Sequence, residues 1–131
     1  MLNQSGITTT KGFNTDQILA STKLQYSIPI IVSSTGVQEV NGKKIVKAGT
    51  PLAGNLTARG TAFTVAKDSG EGTKTSDATV VLLHDVDVTH GNANGTGLVF
   101  GFVDLNKLAS SVKTLLTDAA KKALTKITFI G

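Results

Sequence analysis

The chain has no cysteine, no tryptophan, one tyrosine, five phenylalanines and two prolines in 131 residues. Without cysteine there is no disulfide framework and no thiolate metal ligand, so the fold is held by its core alone. With so few aromatics, that core is built from Val, Ile, Leu and Ala, and stacking platforms for sugars or nucleobases are scarce. Arg59 is the one arginine, and the lysines behind the formal net charge of +4 are dispersed along the chain. A nucleic-acid reader clusters its basic residues and favours arginine for bidentate contacts, so nucleic-acid binding is not expected. A mild positive charge fits docking onto an acidic partner surface. Long apolar runs are missing as well. Residues 28–32 are interrupted by Pro29, far short of the ~20 residues that span a bilayer. Residues 1–6 have neither the basic start nor the apolar run of a signal peptide. The expectation is a soluble, one-domain protein with no membrane segment.

What the sequence does have is β-forming. Residues 80–103 are its most apolar and β-branched part. They read as a strand over 80–89, an exposed Gly/Asn-rich loop over 90–97, and a returning strand over 98–103. Gly101 within the second strand marks a bulge or a close backbone approach. Upstream, residues 26–34 read as a strand, with Pro29 confining it to an edge or to a strand start. Asn41-Gly42 between residues 37–40 and 43–46 is a two-residue hairpin signal, because both central positions need positive φ. Residues 55–58 and 62–66 read as short strands, and residues 67–78 as an exposed loop. After Asp104 or Asn106 as a cap, Leu105, Leu108, Val112, Leu115, Leu116, Ala119 and Ala123 form one apolar helical stripe. Residues 125–131 alternate as a closing strand. The fold class expected is mainly β (α+β): a small β-sandwich or barrel-like body, one amphipathic helix near the C-terminus, and a flexible N-terminal arm.

No residue cluster carries an obvious reaction. His84, Asp85, Asp87 and His90 are close in sequence, which invites a metal or acid–base reading. Along a continuous strand, however, the two histidines lie ~20 Å apart, and alternation puts His84 with Val86 and Val88 and the carboxylates with Leu83. Metal ligands must converge at ~2 Å. Asp85 and Asp87 at ~6.6 Å on one face approach a glycosidase pair, but no aromatics surround them and solvated carboxylates are the plainer reading. The glycines of residues 70–75 lack phosphate-loop spacing and no helix follows them. No catalytic residue, metal ligand or cofactor is expected, and a hydrolase built on His84, Asp85 and Asp87 lacks a nucleophile.

Residues 1–25 are polar, with isolated apolar residues that keep neither period. They read either as a frayed terminus or as an arm that orders on a partner, attached to a compact domain over 26–131. Ile7, Thr8, Thr9, Thr10, Phe13 and Ile18 are the candidate partner-binding residues, since an extended β-branched arm can add to an exposed sheet edge.

A further expectation comes from resemblance. Gly49-Thr50-Pro51-Leu52, a Gly-rich loop, the strand Val81-Leu82-Leu83-His84-Asp85-Val86-Asp87-Val88-Thr89-His90-Gly91, then Val99-Phe100-Gly101-Phe102-Val103, a helix and a β-branched terminus follow in order. Over residues 48–131 this order resembles the head decoration and head fibre proteins of tailed bacteriophages, of the lambda-like decoration type. The resemblance implies a non-enzymatic cement protein on the outer capsid surface of the virion. It implies a homotrimer at three-fold or quasi-three-fold positions, whose N-terminal arm contacts the major capsid protein and which reinforces the head. The alternative is a virion-surface carbohydrate or host-adhesion module carried by residues 67–78 and 90–97.

Overall fold

The computed structural model describes Ile18, Leu19 and residues 25–131. Ten strands follow in order: β1 Tyr26–Val32, β2 Ile45–Val46, β3 Pro51–Ala53, β4 Thr64–Val65, β5 Asp68–Ser69, β6 Thr75–Ser76, β7 Val80–Leu82, β8 Val86–Asp87, β9 Ala93–Asp104 and β10 Ile127–Ile130. Two short helices, α1 Ser110–Leu115 and α2 Asp118–Ala123, follow a 3-10 turn at Leu105–Lys107. The protein is thus a mainly β, α+β body, and among the described residues its helices lie in the connection between β9 and β10.

The main sheet runs β1-β9-β7-β3-β4, every neighbouring pair antiparallel. It does not stay open. Phe63, just before β4, forms a parallel bridge with Val32 at the end of β1. The Phe63 amide donates to the Ile31 carbonyl at 2.7 Å, and the Ser33 amide donates to the Phe63 carbonyl at 2.8 Å. The two ends of the sheet therefore meet, and a small barrel closes. Closure removes part of the open edge that a five-strand path would otherwise present. Pro29 sits in β1, which has β9 on one side and reaches a second neighbour among the described residues only at Val32. An edge position is where a residue without an N–H is tolerated.

Strand β7 shows why one sequence run serves two layers. Val80 and Leu82 point into the barrel with Ile30, Val32, Leu52, Phe63, Val86 and Val88. Val81 joins the opposite layer with Leu98, Val103 and the helices. All three β7 side chains are fully buried. A strand covered on both faces reads as an unbroken apolar run, as residues 80–83 do.

Residues 93–97, expected as loop, are the first half of β9, a twelve-residue strand. Their glycines serve the barrel interior. A Cβ on Gly95 would lie 2.9 Å from a Val86 methyl and 3.0 Å from a Val32 methyl, and one on Gly97 would lie 3.1 Å from Val80 and 3.2 Å from Ile30. On the barrel's other side, a Cβ on Gly54 would run into the Phe63 ring. The interior of so small a barrel has no room for a full ring of side chains, and glycine fills the remaining positions.

The long strand of residues 80–89 is also interrupted. β7 ends at Leu82, and β8 leaves the main sheet to pair with β2 as a separate ribbon. Asn41-Gly42 forms the expected turn, with φ of 55° and 79° and Val40 bridged to Lys43. The ladder stops there, because β2 takes β8 as its partner. Residues 55–58 are a turn rather than a strand: Asn55 Oδ1 accepts from the Thr57 amide at 2.9 Å and its hydroxyl at 2.6 Å. Within residues 67–78, β5 and β6 form a small surface hairpin.

The single helix expected is broken in two. The buried positions are Leu108, Val112, Leu116, Ala120 and Leu124, four residues apart throughout. On one continuous helix that spacing drifts about 40° per step, so the last residue would face away from the first. A break at Leu116–Thr117 resets the phase, and the Thr117 hydroxyl caps α2 by accepting from the Ala120 amide at 3.2 Å. Leu115, expected on the stripe, is exposed instead. The helices carry the chain back so that β10 lies parallel to β9, the crossover that a parallel neighbour requires.

Urea denaturation tests the crowding around the barrel glycines directly. Gly97→Ala is expected to destabilise the fold by about 1–3 kcal/mol through overpacking, and Phe63→Ala by about 3–5 kcal/mol through a cavity. Gly60→Ala, with open space around the added methyl, should change stability by less than about 0.5 kcal/mol.

Candidate interaction surface

The partner-binding residues expected from the sequence divide. Ile7, Thr8, Thr9, Thr10 and Phe13 lie outside the described residues. Ile18 lies inside the body. It is 1% exposed and packs, with Leu19, into the layer beneath the helices. The Ile18 carbonyl accepts from the Asp104 amide at 2.9 Å, Leu19 bridges Val103, and Lys107 Nζ donates to the Leu19 carbonyl at 3.3 Å. Ile18 therefore has no side-chain surface to offer a partner, and the arm boundary at residue 25 does not hold at this pair. The physical reason is that two adjacent large apolar residues gain more from a sheet edge and an apolar layer than from solvent.

The polar cluster in residues 84–90 is occupied by turns. Because the strand breaks after Leu82, Asp85 and Asp87 do not share a continuous strand face. Asp85 Oδ1 accepts from the Ala48 amide at 2.8 Å. Asp87 Oδ1 accepts from the Thr89 amide at 2.9 Å and from the Thr89 hydroxyl, and Thr89 Oγ1 in turn accepts from the Lys44 amide at 2.9 Å. These bonds fasten the β2–β8 ribbon. His84 and His90 are both exposed. Among the described residues no group of three or more His, Cys, Asp or Glu is placed to hold a metal ion. The Thr89 hydroxyl, then the Thr89 amide, hold the Asp87 carboxyl below its usual range, with lesser help from Lys43 and His90.

The surface that does stand out is apolar. Tyr26 and Phe100 are register partners across β1 and β9, 63% and 44% exposed respectively. Phe102, two residues on, shares the face of Phe100. In the parallel β9–β10 pair, Thr128 is opposite Phe102 and Ile130 opposite Asp104, so exposed Ile130 extends the same face. Inward from it, Val103 and Ile127 are buried. Half of the six aromatic residues of this aromatic-poor chain thus share one outer sheet face. Contiguous apolar surface of this kind marks interaction sites in soluble proteins. The sequence signal was Phe100-Gly101-Phe102 between Val99 and Val103: apolar residues on both faces of a strand call for a cover on each.

A second apolar surface is an open groove of about 720 Å³ between the segment carrying the Asn41-Gly42 turn and α1. Exposed Val40, Ile45 and Leu115 line it. No helix among the described residues is long and apolar enough to cross a membrane. No protein-family model matches the chain, and no curated protein matches it.

The role given to Thr89 is measurable by NMR titration. A carboxyl depressed in the folded state adds stability that is present above its unfolded pKa and lost as pH falls through the folded value. Thr89→Val should therefore move the Asp87 midpoint up towards the ordinary 3.8 and shift that loss to higher pH within the acid range. Stability differences between the two proteins at neutral pH should reflect the lost hydroxyl bonds alone.

Proposed function

We propose that this protein is a non-enzymatic decoration protein of a bacteriophage head. In this reading it binds the outer surface of the major capsid protein lattice as a homotrimer and stabilises the shell. The observation that carries the reading is the exposed aromatic face of β1, β9 and β10 on an otherwise tightly packed barrel. A rigid body with a ready-made apolar face suits assembly into a larger structure. The carboxylates nearest to a catalytic arrangement are engaged with backbone amides, which fits a structural role for them. The sequence order of residues 48–131 supplies the shell as the partner. Residues 7–13, with Ile7, Thr8, Thr9, Thr10 and Phe13, remain the proposed capsid-contacting arm, while Ile18 anchors that arm to the body.

Binding only the closed lattice would stabilise it by mass action, and several chains joined in one oligomer would bind multivalently. A second reading, a glycan-binding module, is favoured by one feature: Tyr26 and Phe100 stand side by side and exposed, as a sugar platform requires. Of the two segments expected to carry that activity, residues 93–97 are strand, with Gly95 and Gly97 facing the barrel interior, whereas residues 67–78 form an exposed surface hairpin.

Truncation separates arm from body. Deleting residues 1–17 should leave thermal stability unchanged within a few degrees and abolish co-sedimentation with emptied phage heads. Deleting residues 1–19 should further remove about 2–6 kcal/mol of burial and lower the melting temperature markedly. Full decoration by the 1–17 deletion would contradict the arm. Light scattering with Phe100→Ser and Tyr26→Ser should show loss of a trimer; a wild-type monomer would contradict the oligomer. Specific glycan-array signals lost in the same two variants would favour the second reading.

A further inference from the structure

We infer that the groove between the Asn41-Gly42 turn and α1 is a docking site for an acidic segment that carries apolar side chains. For the identity of its natural partner, a segment of a shell subunit, the inference rests on the proposed function; the chemistry of the groove does not. The walls carry three exposed large apolar residues: Val40, 62% exposed, and Ile45 on the turn side, and Leu115, 42% exposed, on α1. Val112 lies in the floor and is buried. The charged lining residues, among those described, are Lys43 and Lys47, both exposed. Among the described residues no aspartate or glutamate lines it.

That combination selects one occupant. Apolar walls give a bound segment its burial, and a rim of one sign chooses the charge of what flanks it. A basic segment would be repelled by Lys43 and Lys47, and a purely acidic one would leave Val40, Ile45 and Leu115 in water. Leu115 is the last residue of α1, and about 100° round the helix from buried Leu116 it stands exposed on the groove wall. The opposite wall is held in place by the β2–β8 ribbon and the Lys44–Thr89–Asp87 hydrogen bonds. Two walls fixed independently make a groove that exists before its ligand arrives, which lowers the ordering cost of binding.

The probe is a fluorescein-labelled peptide of alternating leucine and glutamate, followed by fluorescence anisotropy on the full chain. The wild type should bind it, more weakly as salt is added. Lys43→Glu with Lys47→Glu should weaken binding by about tenfold or more, as should Leu115→Ser. Peptides alternating serine with glutamate, or leucine with lysine, should bind at least about tenfold less well than the first. Equal binding of the serine–glutamate peptide, unchanged affinity in the variants, or no binding by the wild type would each overturn the inference. Should Leu115→Ser not fold, Val40→Ser tests the facing wall at a more exposed position. Co-sedimentation with phage heads is scored separately. Head binding without peptide binding removes the groove and leaves the proposed function. Peptide binding without head binding removes the proposed function and leaves the groove.

Discussion

The fold depends on closing a short sheet around one phenylalanine. Phe63 joins the first and last strands of the path through its own backbone, and its ring is the largest fully buried side chain of the body. Both functions fall on the same residue, so the ring cannot be repositioned without opening the sheet. The surrounding chain is adjusted to it: Gly54 lies under the ring, and Gly95 and Gly97 leave space where the strands converge. With few aromatics to fill an interior, one well-placed ring and a set of branched aliphatics reach the required density.

From that barrel the rest follows outward. β7 faces two apolar layers, so the sheet needs a cover on its outer side, and the crossover from β9 to β10 supplies it. The cover is made of short helices because its apolar residues recur every four positions. Ile18 and Leu19 fill the same layer from the other end of the chain. Among the described residues, the apolar surface that remains uncovered gathers at the Tyr26–Phe100–Phe102 face and in the groove beside α1. A body whose inner surfaces are this fully satisfied has little reason to expose apolar side chains except to meet something else.

Much of this was legible in the residues. The Asn41-Gly42 turn, the edge position of Pro29, the apolar strand starting at Val80 and the closing strand all followed from local chemistry, since each depends on a few side chains and their own backbone. The misreadings share a cause. Residues 90–97 have turn composition, but whether a glycine frees a loop or makes room inside a barrel is decided by Val32, Val80 and Val86, distant in sequence. The continuous strand expected over residues 80–89 failed because β8 found β2, a pairing that residues 84–90 alone do not announce. Leu115 fitted a helical stripe, but the layer beneath takes Val112, Leu116, Ala120 and Leu124, a choice made by sheet residues that the helical pattern does not contain. Ile18 looked isolated because its partners, Val103 and Asp104, come some eighty positions later. Neither interaction surface followed from the sequence: residues 98–103 read only as a strand until Tyr26 stood beside Phe100, and the groove needs the fold to bring residues 37–47 and 111–115 together.

The outer apolar surfaces stand on a body made rigid by its closure. Native-state hydrogen exchange at the Phe63 and Ser33 amides measures that closure most directly. If the barrel is closed by these two bonds, both amides exchange only on global unfolding, as slowly as the slowest amides of β7 and β9. Exchange at the rate of the exposed turn around Gly60 would mean that β1 and β4 are not joined, and would contradict the account.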